Sequence, residues 1–414
     1  MTGHPIICVV DAHEDGHHPM YAEAYAQVLT ELGAETWLLA PKGLIHAMRA
    51  GGAPGLTVIP WDIRSLLDDT QPRGEHKAAH LWRRLGAALS AAAIDRGRYP
   101  DYLVLLYMDS FAPELLPRSA IERNIRCPFA GLWFKPPQPL GWSLRDVAKR
   151  VVRWGRRYQI LQSPLFQTIL LLDKTGSDHL TGYGRRALVE VPELTNNSLP
   201  DQQPSLVREI RIRAAGRNIY ALVGSLEARK GIRAFLEAAA TAPLDEWYFV
   251  MAGKAAWSSL DAETRCTLSR VNAIPQDRFF FVDQWLEDPT LNAIVANSRL
   301  LHACYDGWPY SSNMPCKAAA FRVPVISVDY GYLGRTVRNY SLGLTIADKA
   351  QLPGLFRPGF ADRLKHFAAS PAFISGCTAY EADNGPAALA RALRFGLPPT
   401  MIGGDPVADA HALP

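Results

Sequence analysis

Continuous apolar runs alternate with segments of helical periodicity along this chain, and the alternation occurs twice, on either side of a polar, proline-rich stretch. No other feature limits the fold as much. The first run, Pro5–Asp11 (PIICVVD), is rich in β-branched residues and suits a strand covered on both faces, as in a parallel sheet. A polar loop with Gly16 follows, then the helix-periodic Met20–Leu32 with Gly33 as its stop, then a second run, Thr36–Ala40. Strand, helix and parallel strand at this spacing form a βαβ unit.

The pattern continues with a strand near Leu56–Ile59, a helix over His76–Arg96, the strand Tyr102–Tyr107 and two further runs ending at Val191. Pro192–Gly216 reads as a linker, after which strands begin again at Ile219, Trp247, Arg278, Leu300 and Val323, with helices between them, one over Ser311–Phe321. A chain of 414 residues is too long for one core. The expectation is an α/β protein of two Rossmann-like, doubly wound domains facing across a cleft. Their bounds are 1–195 and 217–385, with a linker at 196–216, a closing helix at 386–402 and a disordered tail at 403–414.

Charge and cysteine content narrow the class. Charged residues make up 20% and the net charge is +4, which gives no reason to expect a nucleic-acid partner. The six cysteines include no C-x-x-C pair, and the histidines show no metal-ligand spacing, so reduced thiols and no metal or cofactor are expected. No apolar run reaches the roughly 18–20 residues that span a bilayer.

The loop Gly224-Ser225-Leu226-Glu227-Ala228-Arg229-Lys230-Gly231 leaves one predicted strand and opens a predicted helix. Such a loop offers backbone N–H groups and fixed cations to a phosphate, and Arg229 and Lys230 would stabilise a departing nucleoside diphosphate. The plainer alternative is a solvated turn. This stretch resembles the family-4 (glycosyl transferases group 1) type of GT-B glycosyltransferase, whose pattern is G-R-L-x-x-x-K-G before an amphipathic helix. The resemblance runs on through Phe249–Gly253, Phe279–Val282, Ala318–Ile326 and Gly331–Gly343, most of residues 219–346. It implies a GT-B fold, a nucleotide-sugar donor on the C-terminal domain, and phosphate binding by Gly224 and Lys230.

Two departures stand out. Ser225 holds the place of the family's phosphate-binding arginine, leaving Arg229 to compensate. Asp306-Gly307-Trp308 is similar to the start of the Glu-x7-Glu pair, but the second position holds Lys317, 11 residues on rather than eight. Asp306 is therefore a catalytic candidate and Lys317 a donor contact of altered kind. Tyr310, Ser311, Ser312 and Asn313 precede a predicted helix, where they can cap the first turn beside a terminus that favours an anion, and they join the donor-binding set.

In the N-terminal half, Gly16-His17-His18-Pro19-Met20-Tyr21 resembles the family's Gly-rich loop after the first strand. Gly16 allows close backbone approach to the donor, His17 can serve as a base, and His18 belongs to the acceptor side. Without that context, paired loop histidines are solvated polar residues. Pro100–Asp109 resembles the P-D-x-V-x-x-x-H strand with Tyr107 in the histidine position. Asp109 is then either the base for an acceptor hydroxyl or the cap of the next turn.

Independently of any family, Arg145, Lys149, Arg150, Arg153, Arg156 and Arg157 fall within an arc of about 140° on a helical wheel, opposite Leu144, Val147, Val151, Trp154 and Tyr158. This is either a surface helix with solvated cations or a face for anionic lipid or a phosphorylated acceptor. Arg150, Arg153 and Arg157, with Trp133 nearby, are the acceptor or membrane candidates. Together these observations predict a cytoplasmic, membrane-peripheral hexosyltransferase. Its donor would be a UDP-sugar and its acceptor a glycan, a lipid-linked sugar or a small molecule. The alternatives are a catalytically silent binding relative and a sugar-nucleotide epimerase.

Overall fold

A computed structural model of the chain describes residues 4–14, 16–48, 55–61, 77–113, 116–136, 159–173, 175, 177, 180, 187–269 and 277–402. The chain divides into two compact units, Met1–Pro192 with Gly385–Pro414, and Glu193–Asn384. Among the described residues each unit is built on one parallel sheet.

The first sheet contains β1 (Ile6–Val10), β2 (Glu35–Ala40), β3 (Leu56–Pro60), β4 (Tyr102–Leu105), β5 (Phe129–Trp133), β6 (Phe166–Leu171) and β7 (Ala187–Glu190), in the order β3-β2-β1-β4-β5-β6-β7. The second contains β8 (Asn218–Val223), β9 (Trp247–Ala252), β10 (Phe279–Val282), β11 (Leu300–Ala303), β12 (Val325–Val328) and β13 (Gly343–Ile346), in the order β10-β9-β8-β11-β12-β13. The apolar runs sit where their composition requires: every residue of β1, β4, β5, β9 and β11 is buried. In both sheets the order reverses beside the first strand, between β1 and β4 and between β8 and β11. Loops leaving the carboxyl ends of those four strands are where doubly wound sheets bind ligands.

Residues 196–216, expected as a linker, belong to the second unit. Helix Ser205–Ala214 buries Val207, Ile210 and Ala214, at one-turn and two-turn spacing, in that unit's core. The segment before it is fixed by Asn292, whose Nδ2 donates to the carbonyls of Asn196 and Ser198 at 2.9 Å each. Helix Pro386–Gly396 returns to the first unit, where the Thr168 hydroxyl donates to the Gly396 carbonyl at 2.6 Å. The helix expected from Ser311 begins instead at Met314, because Pro315 in its first turn favours that start. No described helix is long and apolar enough to cross a membrane.

Candidate functional site

In the second unit the functional residues gather on the loops after β8 and β11. The chain leaves β8 through Gly224 and enters helix Ile232–Thr241 through Gly231, both at positive φ. Gly231 is required here, since a Cβ would meet the Cys304 carbonyl oxygen at 2.3 Å. The loop after β9 closes in similarly: a Cβ on Gly253 would lie 1.9 Å from the Gly224 oxygen. Bare main chain therefore lines this end of the sheet.

Lys230 is 7% exposed, and its Nζ donates to the Val223 carbonyl at 2.9 Å. Burial, then the Arg229 guanidinium, lowers its pKa to about 7, with Glu227 opposing. Arg229 is held on one side by Glu227, Nε to Oε2 at 2.7 Å, and lies 4.0 Å over the Trp308 ring on the other. Ser225 also donates to Glu227, at 3.0 Å, so its hydroxyl supports the loop where the family has a cation. The Asp306 N–H donates to the Arg229 carbonyl at 2.6 Å, and its carboxylate pairs with Lys349 at 2.5 Å, joining the two loops.

The segment after β11 is a polar shelf in front of helix Met314–Phe321. Ser312 accepts weakly from the Met314 N–H at 3.4 Å and lies 3.3 Å from the Tyr305 hydroxyl, whereas the Asn313 side chain makes no capping bond. Tyr310 and Ser311 lie on the same shelf, and the Trp308 indole N–H donates to the Ser311 carbonyl at 3.0 Å. Glu193, outside every sequence motif, is 7% exposed; burial raises its pKa to about 7, against a bond to Ser311. Lys317, expected among the donor contacts, is only 1% exposed. Its ammonium is committed to Asn292 Oδ1 at 2.6 Å and the Asn196 carbonyl at 3.3 Å. The side chain serves as a buried donor to these two oxygens.

In the first unit a second cluster lies on the loops after β1 and β4. Asp11, fully buried at the end of β1, receives His18 Nδ1 at 2.8 and 3.0 Å and the His13 N–H at 3.0 Å. A carboxylate only accepts, so His18 Nδ1 carries a proton and Nε2 is the ring nitrogen turned away from Asp11. The rings of His13 and His17 lie 4.7 and 4.8 Å from that of His18. His17 is exposed but packs on His18, Tyr21 and Phe134. Lost solvation of its ring, then His18 beside it, lowers its pKa to about 4. Gly16 precedes it at φ +66, with open space where a Cβ would stand.

Asp109, expected as either a base or the cap of the next turn, accepts from two main-chain N–H groups. Its two oxygens accept the N–H groups of Phe134 and Lys135 at 3.0 Å each, which pins the loop after β5. Burial raises its pKa, and those two bonds act against the rise. Trp133, an acceptor or membrane candidate, is 2% exposed and packs against Phe166 in the core; Phe134 is the half-buried aromatic beside His17. Arg150, Arg153 and Arg157 lie outside the described residues. No group of three or more His, Cys, Asp or Glu suited to a metal occurs among the described residues. Asp11 and His13 were overlooked in sequence; the available signal was a buried strand ending in Asp seven residues before a histidine.

No protein-family model and no curated sequence matches the chain. Solved structures do. Sucrose-phosphate synthase from Thermosynechococcus elongatus is 17% identical, with 95% of this chain and 97% of that one covered and a TM-score of 0.62. The α,α-trehalose 6-phosphate synthase of Burkholderia multivorans is 13% identical, with 95% and 99% covered and a TM-score of 0.63. Anabaena HepE, in complex with UDP and glucose, is 13% identical, with 95% and 99% covered and a TM-score of 0.60. At such identities the likeness establishes the fold alone: the GT-B fold, with two Rossmann-like α/β domains.

Proposed function

We propose that the protein is a glycosyltransferase that moves a sugar from a nucleoside-diphosphate donor, UDP-linked, to a hydroxyl of a sugar-containing acceptor. The observation that carries this reading is the Lys230 loop. It sets a buried ammonium and positive-φ glycines at the carboxyl end of β8, where the sheet order reverses. The neighbour solved with UDP and glucose supports the choice of donor. Lys230, Gly224 and the Tyr310–Asn313 shelf would hold the diphosphate. Arg229 would join them on release from Glu227, and Asp306 would orient the loop through Lys349.

On the acceptor side we assign the base to His18, oriented by Asp11, rather than to His17 or Asp109. The acceptor oxygen forms its bond to the anomeric carbon as the bond from that carbon to the diphosphate oxygen breaks. The acceptor proton passes to the base, and the negative charge goes to the leaving diphosphate. His17 and Phe134 then form a ring surface for the acceptor.

Thermal shift with UDP and a panel of UDP-sugars tests the donor assignment. A ligand that binds only the folded protein at 100 times its Kd adds about 2.7 kcal/mol. UDP should raise Tm in the wild type and much less in Lys230→Met. Equal shifts in the two proteins, or none with any nucleoside diphosphate, would overturn the reading.

A further inference from the structure

Behind the Lys230 loop lies a hydrogen-bonded chain that no donor atom could touch. Tyr220 in β8 and His302 in β11 are 0% and 1% exposed. The Tyr220 hydroxyl lies 2.5 Å from His302 Nδ1, and His302 Nε2 lies 2.8 Å from the main-chain carbonyl of Lys230. The directions follow from chemistry alone. A carbonyl oxygen only accepts, so Nε2 carries the proton; Nδ1 is then bare and accepts from the tyrosine. Burial is the main reason that the His302 pKa falls to about 3, so the ring stays neutral in this one tautomer at ordinary pH.

The next residue is Gly231, at φ +67, where a Cβ would lie 3.3 Å from His302 Nε2 as well as 2.3 Å from the Cys304 oxygen. The imidazole thus contacts both the carbonyl of Lys230 and the turn that follows it. Strand β8 supplies the other end of the clamp, through the Val223 carbonyl that receives Lys230 Nζ. Main chain and side chain of Lys230 are therefore fixed separately, one from β11 and one from β8.

We infer that His302 is a positioning residue for donor binding: held from behind by the Tyr220 hydroxyl, it fixes the main chain at Lys230 so that the ammonium faces the diphosphate. This rests on the donor reading above, and its test separates the two. Three variants of the full chain serve: His302→Leu, His302→Gln and Tyr220→Phe, with UDP affinity by calorimetry and imidazole nitrogen shifts by NMR.

His302→Leu should weaken UDP at least tenfold. Gln, with a donor and an acceptor at similar reach, should restore affinity to within about threefold of wild type. The wild-type His302 spectrum should show the Nε2–H tautomer with no titration between pH 5 and 8, and Tyr220→Phe should keep that tautomer while showing intermediate affinity. Equal losses in the Leu and Gln variants would overturn the inference, as would a His302 that titrates in that range or carries its proton on Nδ1. Undiminished binding in His302→Leu while Lys230→Met loses it would do the same. If His302→Leu does not fold, Tyr220→Phe and the wild-type spectrum still decide the matter. If Lys230→Met binds UDP like the wild type, the donor reading fails, and the tautomer result stands apart from it.

Discussion

The loops after β1 and β8 leave corresponding strands of two sheets with the same reversal of order, yet their chemistry is opposite. After β8 the chain provides bare main chain, a buried ammonium and a guanidinium. After β1 it provides three histidines around one buried carboxylate. The first arrangement suits a fixed negative charge; the second suits the handling of a proton. A shared topology thus settles where a ligand can sit, while a few loop residues determine what is done to it.

The contrast is most exposed at His18. If the loop after β1 manages the proton, His18→Ala should lower kcat/KM by about 10³-fold, within the range of general base catalysis, while leaving UDP affinity unchanged. Asp11→Asn should follow it closely, because an amide in place of the carboxylate no longer selects the Nδ1–H tautomer. His17→Ala should cost less than about tenfold, as a ring surface rather than a base. Steady-state kinetics on the three variants checks this; an equal loss at His17 and His18 would remove the distinction between them.

Lys230→Met probes the opposite loop. Loss of one preorganised group facing developing charge typically costs about 10²-fold or more in kcat. Here the loss should also appear in UDP affinity, measured by calorimetry. A variant impaired in turnover yet normal in UDP binding would transfer Lys230 from donor binding to the chemistry alone.

These regions were not equally legible in the sequence. The Lys230 loop is a matter of backbone: positive φ at Gly224 and Gly231 and a lysine two residues before the helix can be read from residue order. The sheets were legible for the same reason, as buried parallel strands leave continuous apolar runs. The histidine loop depends on burial, which order does not reveal. Which of two adjacent histidines meets Asp11 is determined by how helix His18–Glu31 begins, and only the fold brings Asp109 to the N–H groups of Phe134 and Lys135. Lys317 misled for a related reason: its alignment with a ligand position says nothing of Asn292, which arrives from another helix.

The pH dependence sharpens the comparison further. With a pKa near 7 in the free protein, Lys230 loses its proton on going from pH 7 to 9, whereas a bound diphosphate favours the protonated form. UDP affinity should therefore fall by up to tenfold per pH unit above 7, with uptake of about one proton on binding at pH 8.5. Calorimetry in buffers of different ionisation enthalpy measures that uptake, and Lys230→Met should abolish it. Stability runs the other way. Burial lowers the His302 pKa from the ordinary 6.5 to about 3, so the unfolded chain binds more protons between pH 6.5 and 3. Folding free energy is accordingly lost as pH falls through that window.

The smallest effect on activity is expected at Asp109, and it separates support from chemistry in the first unit. An asparagine can accept one of the two N–H groups that the carboxylate now receives, but its own NH₂ faces the other. Leaving that partly buried donor unsatisfied should cost about 1–3 kcal/mol of stability, visible as a lower Tm. The Phe134 loop should loosen, raising acceptor KM a few-fold through the His17–Phe134 contact, while kcat stays near that of the wild type. A collapse in kcat with unchanged Tm would instead make Asp109 the proton acceptor and return His18 to a structural part, reversing the division drawn between the loops after β1 and β4.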